Sequence, residues 1–316
     1  FASVIHRPRL RRLRKGGAYH KRRCYRSPMI RPFLTVFSGT LASRLLGFLR
    51  DSLMAALLGT GAVADAFLAA FQLVNVIRRL LAEGALNAAL VPAWLRLHRQ
   101  DGAVAAASFA GRVLGTISAG LIIATVLLAF IMPLVMTMLT PGFAGQERLQ
   151  LAVDDARLML PYLAFAGPST VLLALSSAQG RFALTAFSPL LFNVALIAVT
   201  IALLAMQRNA AFAALMLAAT IGIAGLLQLS ILALRGRRGS IATPLRISIN
   251  AEMRGFLGRA LPGMAASAGP QLLALSGAFV ASTQPSAISW LYFANRLIEL
   301  PPVSYTHLTL PTNREV

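Results

Sequence analysis

Five long stretches of the chain, 113–138, 158–180, 183–206, 209–234 and 262–284, contain no charged residue. Each is long enough to cross a bilayer, whose hydrocarbon core takes about 20 apolar residues in helical form. In that solvent the backbone must satisfy its own hydrogen bonds, so such runs read as spanning helices. The composition agrees. Charged residues make up 13% of the chain and hydrophobic ones 57%, and the mean hydropathy is +0.70. Soluble domains carry about 25% charged residues. A lipid solvent is therefore the reading that fits, and an ordinary water-soluble core is not.

Two earlier stretches, 32–58 and 64–92, are apolar but contain charges, and an eighth begins near 285 and runs to Pro301. The chain is expected to be an all-α polytopic membrane protein with eight spans. Loop charge tests that count independently. The segment before span 1 is basic. The 2–3 loop carries Arg96, Arg99 and Arg112 against Asp101, the 4–5 turn carries Arg181, and the 6–7 loop carries Arg235, Arg237, Arg238, Arg246, Arg254 and Arg259 against Glu252. The odd-numbered loops are neutral or slightly acidic apart from Arg208. The positive-inside rule then predicts a cytoplasmic N-terminus.

Net charge is +20, but residues 1–28 alone hold ten of the 30 Lys+Arg and no acid. That leader has no apolar core, so it is not a signal peptide. Met29-Ile30-Arg31 before an apolar run resembles a natural start, and residues 1–28 are expected to be translated upstream sequence. The alternative is a basic juxtamembrane arm on anionic lipid. Residues 303–316 are polar and are expected to be a non-native tail on a truncated chain. Because the remaining basic groups border apolar spans, nucleic acid is not an expected partner. Cys24 is the sole cysteine, and His6, His20, His98 and His307 lie outside the apolar spans. Neither a disulfide framework nor a metal site is expected. There is no GxSxG, HExxH or P-loop and no acid–His cluster within a span, so no enzymatic activity is expected.

The informative residues are the charges inside spans. Span 1 contains Arg44, Arg50 and Asp51, span 2 Arg78, Arg79 and Glu83, and span 8 Arg296 and Glu299. An arginine at the bilayer centre costs about 2.5–3.5 kcal/mol even on the lenient insertion scale. Such residues should face a wet cavity or pair with acids. Spacing suggests pairs of Arg79 with Glu83, of Arg44 with Asp51 and of Arg296 with Glu299. Arg50 borders Asp51, but adjacent helical residues do not face each other. In the first two spans Arg44, Arg50, Arg78 and Arg79 outnumber Asp51 and Glu83. This excess suggests an anion site, since guanidinium binds phosphate oxygens bidentately. The competing reading is that these arginines snorkel to headgroups or form structural pairs. Asn75 shares a face with Arg78 and Arg79 and suits a helix–helix hydrogen bond. Asp65 opens span 2, either compensating the helix N-terminus or serving as a gate or cation site. Gly47, Gly84, Gly167-Pro168, Pro189, Pro262 and Pro270 interrupt the spans; such breaks permit bending in transporters, though Gly and Pro are common in membrane helices anyway.

Particular strings add to this. SRLLGFLRD (43–51), ADAF (64–67), NVIRRLLAEGALNAALVP (75–92), TPGF (140–143), GRFALTAFSPLLFN (180–193) and WLYFANRLIEL (290–300) together resemble the MurJ/MviN family, the lipid II flippases of bacterial peptidoglycan synthesis. That family lies within the multidrug/oligosaccharidyl-lipid/polysaccharide (MOP) exporter superfamily. The resemblance, from Met29 to Pro301, implies a MOP/MATE-like helical bundle. An N-lobe of six transmembrane helices would fill residues 29–240, and residues 241–302 would supply the first two helices of a C-lobe. It implies that Arg44, Arg50, Arg78 and Arg296 meet the diphosphate and headgroup of lipid II. Asp65, Glu83 and Glu299 would serve gating or ion linkage, with Arg79, Asp51 and Asn75 in structural pairing. It further implies a multi-pass protein of the bacterial inner membrane working by alternating access. Bilayer lipid and cell-wall synthesis proteins would be its other partners. No cofactor is expected beyond coupling to a monovalent cation or the membrane potential. A related exporter of another lipid-linked oligosaccharide or drug, or a non-transporting scaffold for cell-wall enzymes, are the alternatives. Gln72, Val74 and Asn295 depart from the family's usual Lys, Pro and Asp, so the cavity's detailed charge is expected to differ.

Overall fold

A computed structural model describes residues 30–82, 85–236, 242, 246–248, 250–266 and 268–298. The leader 1–28, the tail 303–316, Glu83 and Glu299 lie outside the described residues, as do the expectations attached to them. Among the described residues there are eleven α-helices and no strand. They are α1 (Ile30–Leu58), α2 (Ala62–Ala82), α3 (Ala85–Gln100), α4 (Gly102–Leu139), α5 (Glu147–Met159), α6 (Pro161–Ala178), α7 (Phe182–Ala205), α8 (Ala210–Gly236), α9 (Ala251–Ala266), α10 (Gly269–Ala281) and α11 (Ala287–Ile298). A single 3₁₀ turn, Pro141–Phe143, follows α4.

Four helical stretches are long and apolar enough to cross a membrane: Gly102–Leu139, Glu147–Ala178, Phe187–Ala205 and Ala210–Leu234. The pair α9–α10, bent by 48°, makes a fifth if it is taken as one broken span. These five correspond to the five charge-free runs. The 38-residue α4 would be about 57 Å long at 1.5 Å per residue, well beyond a hydrocarbon core of about 30 Å. Its Ile123, Leu127, Phe130 and Leu134 are exposed, as suits a surface solvated by acyl chains.

The structure revises three sequence boundaries. The expected span 64–92 is divided between α2 and α3. The charged segment 147–157, expected as a connection, is the helix α5, and it runs into α6 through a helical Leu160. Its Ala152, Val153, Ala156 and Met159 are buried on one face, which is the spacing that docks a helix against neighbours. The run 262–284 is not one straight helix: α9 begins earlier, at Ala251, and α10 restarts with Pro270 in its first turn. Proline suits a first helical turn and disfavours helix in the residue before it.

The central element is α2. Ala66, Phe67, Leu68, Ala69, Ala70 and Phe71 are consecutive and all buried, because α5, α6, α8, α10 and α11 surround this helix. Three alanines in that run let backbones approach closely, which is how helices pack where lipid supplies no hydrophobic drive. A second cluster joins α3, α4, α6 and α9 through Leu90, Trp94, Phe109, Val171 and Phe256. Phe109 meets Phe256 edge to face at 6.0 Å.

The first eight helices and the last three touch at both ends of the bundle. At one end the Gly142 amide donates to Ser282 Oγ at 3.2 Å, and Gly142 sits directly on the Ser282–Thr283 backbone. At the other, the Arg246 amide donates to the Gly111 carbonyl at 3.4 Å and Arg112 pairs with Glu252 at 2.6 Å. Gly115 faces the Arg246 backbone so closely that a Cβ would lie 2.6 Å from its carbonyl oxygen.

Candidate functional site

A cavity of about 530 Å³ lies between α1, α2, α3, α6, α7, α8 and α11. The intramembrane arginines converge on it. Arg44, Arg50, Arg78, Arg79 and Arg296 all line it, from three different helices, and Asp51 is the single acid among the lining residues. The helical periodicity of α1 puts Ser43, Arg44, Gly47, Arg50 and Asp51 on the same wall. On α2, Asn75, Arg78 and Arg79 do the same at i, i+3 and i+4. No residue of the Asp65 end of the bundle lines the cavity. It reaches instead toward Ser177 and Thr185, where α6 turns into α7.

The arginines are held in different ways. Arg50 is almost fully enclosed: its side chain is 7% exposed, and that of Asp51 3%. Its Nε and Nη2 donate to Asp51 Oδ1 at 2.9 and 2.7 Å, and its Nη1 donates to Asn193 Oδ1 at 2.9 Å. The guanidinium also sits over the rings of Phe71 and Phe192, at 5.4 and 5.7 Å from their centroids. The expectation that Arg50 and Asp51 do not face each other is therefore wrong. Their Cβ atoms diverge, but the long arginine stem bends back and brings its head to the neighbouring carboxylate.

Asp51 reaches a second arginine. Its Oδ2 lies 2.7 Å from Arg296 Nε, an ion-pair distance outside hydrogen-bond geometry. The Tyr292 hydroxyl donates to Asp51 Oδ1 at 3.2 Å and accepts from Arg296 Nη2 at 3.3 Å. The pair expected between Arg44 and Asp51 is absent among the described residues. Arg44 is exposed to the cavity and makes no ion pair there. Arg78 Nε donates to Asn75 Oδ1 at 3.3 Å, so Asn75 steers an arginine on its own helix rather than bridging to another. The partners proposed for Arg79 and Arg296, Glu83 and Glu299, lie outside the described residues.

Asp65 is in the first turn of α2 and fully buried. Its Oδ1 accepts the Ser289 backbone N–H at 2.9 Å. Ser289 is the third residue of α11, so Asp65 satisfies an orphan amide at the start of a helix 224 positions away. Its Oδ2 is buried without a hydrogen-bond partner. Gln72, where the family often has Lys, donates to the Ala274 carbonyl at 2.6 Å and ties α2 to α10; it does not line the cavity.

Sequence reasoning missed Asn193, Tyr292 and Gln228. Asn193 donates to the Ser43 carbonyl at 3.1 Å while accepting from Arg50, clamping α1 to α7. The available signal was a lone amide inside a charge-free run, where an unpaired polar group costs free energy and so needs a partner. Gln228, an amide inside the charge-free run 209–234, carried a similar signal; Tyr292, in the charged stretch after 285, carried none.

Comparison with known proteins bears on the family and the fold. Residues 54–304 match the family model described as Lipid II flippase MurJ. A protein of Rhizobium tropici named probable lipid II flippase MurJ is 32% identical over 276 residues, covering 86% of this chain and 52% of that protein. The chain thus spans about half the length of the curated relatives it matches. Among solved structures, a lipid II flippase MurJ in an inward closed conformation superposes with a TM-score of 0.69 at 21% identity, over 84% of this chain and 54% of that one. A MATE crystal structure in complex with MaD3S gives 0.64 at 16% identity, over 87% and 61%. These two likenesses show the fold, an all-α helical bundle.

Proposed function

Because this chain belongs to the MurJ lipid II flippase family, we propose that it serves to carry the undecaprenyl-diphosphate-linked peptidoglycan precursor across the bacterial inner membrane. The observation that carries the reading is the cavity lined by five arginines and one acid. Guanidinium forks match phosphate oxygens bidentately. In a low-dielectric setting a surplus of such charge is costly when vacant and is relieved by an anionic occupant. Arg44 and Arg78 are the groups with most freedom to meet the diphosphate. Arg50 and Arg296, tied to Asp51, would hold the wall and add to its field.

The reading sets the N-terminus in the cytoplasm, as loop charge implies. The cavity would then receive the headgroup from the cytoplasmic leaflet while the polyprenyl tail stays in lipid. The Asp65 end would face outward. There, the contacts of Asp65 with Ser289 and of Gly142 with Ser282 would part as the lobes rock, by alternating access without covalent chemistry. A cation gradient or the membrane potential would reset the cycle.

The test is rescue. The full-length gene is placed in a strain depleted of its lipid II flippase, and outward exposure of lipid II is measured. Growth and exposure should be restored by the wild type and lost in Arg78→Ala and Arg296→Ala variants that still insert. Rescue by both variants would overturn the assignment and favour a non-transporting scaffold. Failure of the inserted wild type to rescue would overturn it in favour of an exporter of another lipid-linked oligosaccharide or drug.

A further inference from the structure

The cavity has two chemically different walls. One, from α1, α2 and α11, presents guanidinium groups, which only donate hydrogen bonds. The other, from α6, α7 and α8, carries no charge and presents Tyr162, Ser169, Thr170, Ser177, Thr185 and Gln228. Several of its polar hydrogens are already committed. Ser169 Oγ donates to the Phe165 carbonyl at 2.8 Å and Thr170 Oγ1 to the Ala166 carbonyl at 2.9 Å. Gln228 Nε2 donates to Ser188 Oγ at 2.8 Å, a bond that holds the amide in place. Ser177 and Thr185 share one hydrogen across 2.9 Å. What this wall offers an uncharged occupant is therefore acceptor oxygen beside a few donors: the Tyr162 hydroxyl, the second Gln228 amide hydrogen and one hydroxyl hydrogen of the Ser177–Thr185 pair. It has the hydroxyl lone pairs and the Gln228 carbonyl, which receives no hydrogen bond from the described residues. Asn193 is excluded from this role, because its amide is spent on Arg50 and Ser43.

We infer that the α6–α8 wall is a subsite for a neutral group rich in O–H and N–H donors, such as an N-acylated sugar attached to the diphosphate. The inference rests on the proposed diphosphate site across the cavity and adds orientation to it. Phosphate oxygens, which only accept, face the donor wall. Sugar hydroxyls and amide N–H groups face the uncharged wall. A reversed pose would set the acceptor-only phosphate against the Gln228 carbonyl and the hydroxyl lone pairs, away from every guanidinium. The wall thus favours a glycosylated lipid over a bare one, and Gln228, with Ser177 and Thr185, sets that preference.

The experiment compares two lipids on the purified chain in nanodiscs. Undecaprenyl diphosphate and its disaccharide-pentapeptide conjugate are titrated, and the ratio of their dissociation constants is the readout. Gln228→Leu and the double variant Ser177→Ala/Thr185→Val, on separate helices, are each compared with the wild type. Losing one hydrogen bond to the sugar should cut the preference for the glycosylated lipid by about fivefold, with affinity for undecaprenyl diphosphate retained. That retention also reports that the variant is folded. An unchanged ratio in either folded variant would overturn the inference, as would an equal loss for both lipids in both variants, which would make the wall merely structural. Arg78→Ala separates the two levels of argument. It should weaken both lipids together, and if it weakens neither, the diphosphate site itself is wrong whatever the sugar wall does.

Discussion

Asp51 on α1 and Arg296 on α11 face each other across 2.7 Å, although 245 positions separate them in the chain. The same carboxylate also holds Arg50, so one acid organises two cations and joins α1 to α11. Removing an acid from an enclosed pair leaves an uncompensated charge, which typically costs about 3–5 kcal/mol. Asp51→Ala should therefore lower the thermal midpoint of the purified protein sharply. Arg296→Ala should lower it much less, since that side chain is 25% exposed and Asp51 would keep Arg50. Equal shifts in the two variants would contradict this division.

Arg44 and Arg50 lie on the same wall but should behave oppositely. Arg44 faces the cavity without an ion-pair partner among the described residues. Arg44→Ala should leave stability within about 0.5 kcal/mol of wild type. It should also weaken binding of undecaprenyl diphosphate by about tenfold or more, the loss of one charged hydrogen bond. Arg50→Ala should unfold the protein at lower temperature because Asp51 and Asn193 lose their common partner. Thermal melts and lipid titrations on the same samples distinguish the two.

Asn193→Leu removes the acceptor for Arg50 and the donor to the Ser43 carbonyl in one step. A buried partner left unsatisfied costs about 1–3 kcal/mol. The loss should appear as faster amide exchange along α1 and α7, with the packing of α6 against α8 unaffected. Exchange spread uniformly over the bundle would argue against a local clamp.

At the Asp65 end, Asp65→Ala should free the Ser289 amide, and its hydrogen-exchange protection should fall. A lost helix cap costs about 0.5–2 kcal/mol. Gly142→Ala should act on the same amide by another route. A Cβ there would collide with the Ser282 backbone, which cannot retreat as a flexible side chain would, so the α10–α11 turn must lift. Ser289 protection that is unchanged in both variants would show that these two contacts do not hold that end together.

Much of the architecture was legible because hydrocarbon imposes a length rule. The charge-free runs had to be helices, and the structure has helices on all five. Where the reading failed, a local rule met a tertiary partner. Segment 147–157 looked like a loop because it is charged, yet Arg148 is buried, donating to the Gly142 carbonyl at 2.8 Å and covering the Phe143 ring. Pairings inferred from i+3, i+4 and i+7 spacing assumed that each acid serves its own helix. Asp51 and Asp65 serve other helices as well.

By itself, then, the sequence determined that this chain lives in a bilayer as helices and that its intramembrane arginines must be sheltered from acyl chains. Both follow from what the solvent refuses to solvate, and that depends on composition along the chain. Which carboxylate meets which guanidinium, and that Asn193 and Tyr292 complete the set, was decided only when α1, α7 and α11 came side by side. Hydrogen bonds and ion pairs act over about 3 Å, and no pattern within a single helix encodes that proximity.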